Sequence, residues 1–396
     1  MRRFTADFET TTDLDDCRVW AWGICEIGDP ENFICGNDIG KFIEYVRDEL
    51  HNPKLYFHNA KFDFQFIISY LLMHGYTHVE DTKDAEDFTF TTLISDTGQF
   101  YSLTIYFKKR GHKTVKATFY DSLKILNFSV EQIAKDFSLP IRKLTLDYKA
   151  KREIGHELSL HEKDYLRNDV EIMARALQIM FERGFDKMTI GSDALHFYKM
   201  LNDDFKALFP LLDLECDKDI RKSYKGGFTY LNPIYRGQET GAGLVFDINS
   251  MYPAQMRYQK LPFGRPEYFE GKYEPDPTYD LYVQSFTTTF KVKPGKIPSI
   301  QIKKSSYFIP NEYVESSDDQ PVTLTLASPD LQLFLEQYDH GAIEWHSGWK
   351  FKSSKGLFNQ YIDYWTEEKI KAKKENNSAM FRISKLFLTA YMGSSG

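Results

Sequence analysis

Two periods of apolar and polar residues take turns along residues 1–188. Thr5-Ala6-Asp7-Phe8-Glu9 alternates with period two, which predicts a strand carrying Asp7 and Glu9 on one face. Arg18–Glu26 and Leu55–His58 predict further strands, and Phe62–His74 an amphipathic helix. Leu103–Phe107 and Thr114–Phe119 predict a hairpin joined by Lys108-Lys109-Arg110-Gly111-His112-Lys113. Leu160–Arg183 keeps helical spacing over a long run and stops near Gly184, where a glycine can end a helix. Strands alternating with helices predict an α/β unit.

Beyond residue 188 the punctuation changes. Gly226-Gly227 and the run from Gly237 to Gly243 bracket a second unit. There Leu244-Val245-Phe246 predicts an apolar strand delivering Asp247 to its end, with a turn through Asn249-Ser250 into Tyr252-Pro253. Residues 260–356 hold prolines, tyrosines and short strand signals. Turns are expected at Pro262-Phe263-Gly264, Glu274-Pro275-Asp276-Pro277 and Ser316-Ser317-Asp318-Asp319, so the stretch reads as an inserted β-rich subdomain. Residues 357–392 return to helical spacing, with basic Lys369, Lys371, Lys373 and Lys374 ahead of Leu386-Phe387-Leu388.

Bulk properties narrow the picture. A chain of 396 residues exceeds one core, so roughly two to four domains are expected. Its 25 Tyr and 32 Phe offer stacking surfaces for unpaired bases, although large cores use the same residues. The net charge of −7 opposes a simple basic nucleic-acid binder. The distribution softens that objection: residues 1–60 hold 6 Lys+Arg against 12 Asp+Glu, and residues 101–160 hold 12 against 6. Cys17, Cys25, Cys35 and Cys216 lack C-x-x-C spacing, which points away from a zinc site or a disulfide framework. Neither a leader-like apolar segment after Arg2-Arg3 nor a run of about 18 apolar residues occurs, so no membrane partner is expected.

The candidate chemistry lies in three pieces. Asp7 and Glu9, on one strand face, can share two metal ions. In Tyr56-Phe57-His58-Asn59-Ala60-Lys61-Phe62-Asp63, Asn59 and Asp63 are four apart at a helix start and are expected to share a face. Tyr165 and Asp169 repeat that spacing, so a phenol and a carboxylate can flank one water. Each piece has a bland counterpart: a solvated strand face, an Asn cap with a first-turn acid, a tyrosine lying on its own helix. Together DFETTT, FHNAKFD and YLRND resemble the three exonuclease motifs of DEDDy proofreading DNA polymerases. The resemblance implies an RNase H-like 3′–5′ exonuclease over residues 1–188. Asp7, Glu9, Asp63 and Asp169 would hold two Mg²⁺ or Mn²⁺ ions, and Tyr165 would orient the attacking water. Asn59 would contact the DNA end. His58, Phe62, Phe66, Ser122 and Leu123 would line the single-strand channel, and Lys143 and Tyr148 would act near the scissile phosphate.

Further along, Ser223-Tyr224-Lys225-Gly226-Gly227 followed by FDINSMYP resembles the protein-primed family B DNA polymerases of small tailed phages, the phi-twenty-nine type. KDFSLP, DKMTIGSDAL, LPFGRPEYFEGKY and IPSIQIKKS extend the likeness over nearly the whole chain. It implies part of a palm at 189–259, a terminal protein region 1 insertion at 260–356 and fingers at 357–396. Tyr224, Gly226 and Gly227 would hold DNA between the two sites, and Asp247 with the Ile248 carbonyl would ligate a second pair of ions. Tyr252 would lie under the incoming sugar, and Lys385 would hold dNTP phosphates. Primer-template and single-stranded DNA, dNTPs and a terminal protein primer are the implied partners, in the cytoplasm of an infected bacterial cell.

Two departures accompany the likeness. The fingers motif reads Thr389-Ala390-Tyr391-Met392-Gly393, with its tyrosine displaced by one place. The Tyr-x-Asp-Thr-Asp-Ser hairpin of the second palm carboxylates does not occur in residues 1–396, nor does a thumb. A truncated reading frame, a split gene with the remainder on a second polypeptide, and an engineered fragment are the competing explanations. A stand-alone 3′–5′ exonuclease and an inert DNA- or terminal-protein-binding fragment stay open as rival functions.

Overall fold

The computed structural model describes residues 2–393 apart from 14, 226, 229, 249 and 302–312, with the backbone alone for 391–393. The chain divides into two compact units, Met1–Tyr198 with Asp363–Gly396, and Lys199–Ile362.

The first unit runs β1 (Arg3–Thr10), β2 (Val19–Glu26), β3 (Asp29–Gly36), α1 (Ile39–Asp48), β4 (Lys54–Phe57), α2 (Lys61–Met73) and β5 (Thr77–His78), then β6 (Thr89–Ile94), β7 (Phe100–Arg110), β8 (Lys113–Asp121), α3 (Val130–Asp136) and α4 (Leu160–Glu182). Helix α5 (Ile190–Leu201) crosses into the second unit. The eight strands form one sheet in the order β3-β2-β1-β4-β8-β7-β6-β5. Strand β4 is parallel to both β1 and β8, which places the ends of these three strands side by side. The β7–β8 hairpin outruns its predicted strands: Arg110 pairs with Lys113, so the turn is Gly111-His112, with Gly111 at φ +63°.

Alternation along β1 decides what each face of this sheet does. Phe4, Ala6 and Phe8 enter a core with Phe42 and Val46 of α1 and Phe64, Ile67 and Leu71 of α2. Thr5, Asp7 and Glu9 turn to the other face, as period two requires. There α4 packs Leu166 on Trp20 and Ala21, and Val170 and Ala174 on Cys25. Gly23, paired with Asp7 across β1–β2, makes room for a ring of β3: a Cβ there would lie a tight 3.2 Å from Phe33, and in ordinary contact with Leu166 of α4 at 3.5 Å. The Thr5 hydroxyl donates to the Val170 carbonyl at 2.7 Å and ties the strand to the helix.

The second unit contains α6 (Phe205–Leu208), α7 (Leu214–Lys222), α8 (Met251–Tyr258), β9 (Leu261–Glu270), β10 (Leu281–Thr288), β11 (Phe290–Val292), β12 (Val322–Ala327), α9 (Ser328–Gln337), β13 (Tyr338–His340) and β14 (Glu344–Ser354). A four-stranded antiparallel sheet, β12-β10-β14-β9, and the pair β11-β13 surround a core of Phe286, Phe290, Leu324, Phe334 and Tyr338. Helix α10 (Asn359–Lys374) leads to α11 (Ser378–Gly393) in the first unit, where Trp365 stacks on Phe387 at 4.1 Å.

Two expectations fail in this unit. Pro262-Phe263-Gly264 lies inside β9 instead of forming a turn. Gly264, at φ +75°, sits in a bulge between the pairs Phe263–Lys352 and Glu267–Lys350. The expected strand through Leu244-Val245-Phe246 is absent: the segment is irregular, with Val245 98% exposed. An apolar run becomes a strand where neighbours take up its backbone hydrogen bonds and cover its faces, and no described strand pairs with it.

Phe57, at the end of β4, meets Phe8 at 5.0 Å, Phe64 at 6.0 Å and Phe42 at 6.1 Å between ring centroids. Phe57→Ala is expected to cost about 3–5 kcal/mol, the range for truncating a packed aromatic, read as a lower urea midpoint. A loss under about 1 kcal/mol would contradict a rigid aromatic core behind the strand ends.

Candidate active site

Three elements converge above the ends of β1 and β4. Strand β1 presents Asp7, half-buried, and Glu9, buried. The chain leaves β4 through His58-Asn59-Ala60, and the first turn of α2 brings in Asp63, which is buried. Helix α4 supplies Tyr165 and Asp169 from one face, four residues apart, both buried.

Carboxylate oxygens of Asp7, Glu9 and Asp169 lie within 4.8 Å of one another. Lys143 Nζ donates to Asp169 Oδ2 at 2.7 Å, while Asp169 Oδ1 is buried with no hydrogen-bond partner. The Tyr165 hydroxyl lies 2.7 Å from that of Tyr148. These groups line a cavity of about 640 Å³ together with His58, Asn59, Phe62, Phe66 and Leu123.

Burial and crowding of like charge set the electrostatics. Burial pushes Glu9 up to about 7, with Asp169 adding to it and Lys143 and Arg152 opposing. Burial likewise raises Asp63 to about 8, against the pull of nearby backbone N–H groups, its own first and then that of Phe8. Asp7 is raised well above the carboxylate range, by burial first and then by Asp63, Glu9 and Asp169. Asp169 is raised by burial despite Lys143. Burial alone would lower Lys143, but Asp169 outweighs it and the ammonium is retained. One lysine does not neutralise this many carboxylates. An orphaned buried oxygen beside two others within bridging range is the donor set of a hard divalent cation, which takes oxygen ligands, so the residues fit such an ion.

Placement differs from the sequence reading at two positions. Asn59 is not on the helix: it has φ +67°, α2 is capped by Ala60 without a side-chain bond, and the Asn59 N–H donates to Asp121 Oδ1 at 3.0 Å. Ser122 does not line the cavity. It is fully buried, its hydroxyl donating to the Phe57 carbonyl at 2.9 Å and lying 3.1 Å from His58 Nδ1. His58 Nε2 donates to the Phe128 carbonyl at 2.7 Å, and burial lowers its pKa, so the ring serves as a neutral brace. Sequence reasoning missed Phe128, which lines the cavity, and Asp121, which also accepts the Leu123 N–H at 3.0 Å. An Asp-Ser pair at a strand end is the turn signal that could have flagged Asp121.

Residues of the other expected site divide between the two units. In the second unit Asp247 and Ile248 are exposed on the irregular segment, Tyr252 is half-exposed on α8, and Tyr224 and Gly227 are exposed. Gly226 lies outside the described residues. In the first unit Lys385 is exposed on α11. Among the described residues no helix is long and apolar enough to cross a membrane.

The family model for DNA polymerase type B, organellar and viral, matches residues 49–163 and 153–396. The chain is 45% identical over 394 residues to the DNA polymerase of Bacillus phage Nf, covering 99% of this chain and 67% of that protein. The orthorhombic crystal form of Phi29 DNA polymerase superposes with a TM-score of 0.92 at 41% identity, covering 99% of this chain and 67% of that one. Phi29 DNA polymerase complexed with single-stranded DNA gives 0.90 at 40% identity, with the same coverage. The chain thus spans about two thirds of the length of these relatives.

Acids with raised values keep their protons in the folded state after the unfolded chain has lost them. Without metal, stability is therefore expected to fall as pH rises from the ordinary values of 4.5 and 3.8 towards about 7 for Glu9 and about 8 for Asp63. Melting temperature should drop across this range in chelator. Glu9→Gln should stabilise the fold at pH 8, by roughly 1.4 kcal/mol per unit of displacement removed, and Mg²⁺ should raise the melting temperature of the wild type. A metal-free melting temperature that stays level or climbs with pH would contradict the clustered burial of these acids.

Proposed function

The chain belongs to the type B DNA polymerases of organelles and viruses, and from that premise we propose that its first unit is a 3′–5′ exonuclease acting on single-stranded DNA. The observation that carries this is the cluster of Asp7, Glu9 and Asp169, with its orphaned Asp169 oxygen, at the floor of an aromatic-edged cavity. Asp7, Glu9, Asp63 and Asp169 would hold two Mg²⁺ or Mn²⁺ ions. When bound, such a pair supplies charge stabilisation to the attacking and leaving oxygens of a phosphodiester.

The chain's own residues do the rest. Tyr165, one turn before Asp169 on α4 and held at the Tyr148 hydroxyl, orients the attacking water by hydrogen bond. Lys143 keeps its charge beside Asp169 and stabilises the negative charge that grows on the phosphate. Phe62, 66% exposed at the cavity rim, together with Phe66 and Leu123, offers apolar surface to unpaired bases. Asn59 contacts the terminal nucleotide. A polar channel edged by aromatics favours a frayed single strand over a paired end, which suits editing.

The wider reading is a protein-primed DNA polymerase for viral DNA. In it residues 1–188 edit, 189–259 belong to the palm, 260–356 meet a terminal protein primer, and 357–396 form fingers in an infected host cell. The family and the relatives' name, DNA polymerase, support it. Asp247 with the Ile248 carbonyl would serve metal binding, Tyr252 the incoming sugar, Lys385 the dNTP phosphates, and Tyr224, Gly226 and Gly227 the DNA. Within residues 1–396 only Asp247 matches a palm carboxylate motif, and two-metal transfer needs more than one.

With 3′-labelled single-stranded DNA and Mg²⁺, the wild type should release label. Asp7→Ala/Glu9→Ala should slow release by at least about 10³-fold, the scale lost when preorganised electrostatic groups are removed. No metal-dependent release by the wild type, or equal release by the double variant, would falsify the nuclease assignment. On primed template with dNTPs, these residues alone should give no extension. Adding a chain that bears a Tyr-x-Asp-Thr-Asp hairpin should restore it, and persistent silence of the mixture would count against the polymerase reading.

A further inference from the structure

Residues 137–159, between α3 and α4, contain no helix or strand. Irregular segments of this length inside a compact domain are uncommon and usually functional. This one carries Lys143 and Tyr148 into the cavity, so something outside regular structure must hold it. Around Tyr148 the side chain of Arg152 does so twice. It is 7% exposed, and its guanidinium lies 3.9 Å over the Trp20 ring. Nε donates to Glu162 Oε1 at 2.9 Å, while Nη1 donates to the carbonyls of Asp147 at 3.0 Å and Ala150 at 3.1 Å, on either side of Tyr148. Glu162 is itself fixed as the third residue of the α4 capping box, where Ser159 N–H donates to it at 3.0 Å and His156 Nε2 lies 2.9 Å away.

We propose that Arg152, anchored by Glu162 and Trp20, is the positioning residue for Tyr148: it splints the 147–150 turn and so keeps the Tyr148 phenol on the Tyr165 hydroxyl. The inference rests on the nuclease reading above. A planar guanidinium can meet a carboxylate and two carbonyls at once; an ammonium on a flexible stem keeps the charge but not that fork. Loss of the splint therefore leaves the metal-binding carboxylates in place and frees the phenol, and small misplacements of this kind cost about 10- to 100-fold in rate.

The test uses the full chain, 3′-labelled single-stranded DNA and Mg²⁺, with Arg152→Ala, Arg152→Lys, Tyr148→Phe and the Arg152→Lys/Tyr148→Phe pair. Arg152→Lys, which retains the ion pair with Glu162, covers the case in which the alanine variant does not fold. Expected is a kcat about 10- to 100-fold lower for the Arg152 variants, a double variant no slower than its slower parent, and faster amide exchange over residues 143–151 with β1 and α4 unchanged. Wild-type kcat in the Arg152 variants, losses that multiply in the double variant, or unaltered exchange over 143–151 would each overturn the proposal while leaving the nuclease reading intact. A wild type that releases no label, beside Arg152 variants with loosened exchange, overturns the nuclease reading and with it the role given to Arg152.

Discussion

Several acids crowded into a desolvated pocket with a single lysine for company is the constraint on which the first unit turns. Carboxylates placed this close repel one another, and burial raises the cost of their charge. Asp7, Glu9, Asp63 and Asp169 are all raised, and Lys143 neutralises only in part. Such a cluster persists only when the scaffold over-determines it. Here the over-determination is two-sided. The phenylalanine core around Phe8, Phe42, Phe57 and Phe64 clamps one face of the sheet, and α4 clamps the other through Leu166 and Val170. The unfavourable charge is the feature a divalent cation answers, so the same arrangement that costs stability without metal is the one that fits it.

Much of this was legible in the chain because it is local. Period-two alternation puts Asp7 and Glu9 on one face whatever surrounds the strand. Four-residue spacing puts Tyr165 and Asp169 on one face of α4, and the capping box at Ser159 marks where that helix begins. What escaped is what depends on distant partners. Asn59 takes a left-handed backbone while its N–H meets Asp121, 62 residues away, so helical spacing with Asp63 was the wrong ruler. Ser122 sits beside cavity residues in sequence, yet its hydroxyl is taken up by Phe57 and His58 beneath them.

The segment at Leu244–Asp247 shows the same limit from the other side. Its apolar run has strand character, but a strand is a property of a pair, and no described neighbour accepts it. Three apolar side chains in water are a cost that a packed sheet would remove, at roughly 25 cal/mol per Å² of apolar surface covered. Gly264 makes the complementary point. It reads as a turn, yet β14 pairs with β9 on both sides of it and absorbs the glycine as a bulge. Tertiary pairing overrode local propensity in both cases, once by its absence and once by its presence.

The irregular stretch between α3 and α4 shows how a fold places cavity-lining groups without regular structure. A sheet or helix fixes a side chain through its ladder of backbone bonds, whereas residues 137–159 lack one. Their carbonyls are instead caught one by one: Arg142 by Asn168, Thr145 by His161, Asp147 and Ala150 by Arg152. All four catches come from α4 or from a residue paired with it, so the helix that carries Asp169 and Tyr165 also sets where Lys143 and Tyr148 can go. Asn168 donates from the position next to Asp169, and His161 and Glu162 hold from the first turn. A displacement of α4 would therefore move the carboxylate, the phenol, the lysine and the second tyrosine together, preserving their mutual distances better than four independently supported loops could.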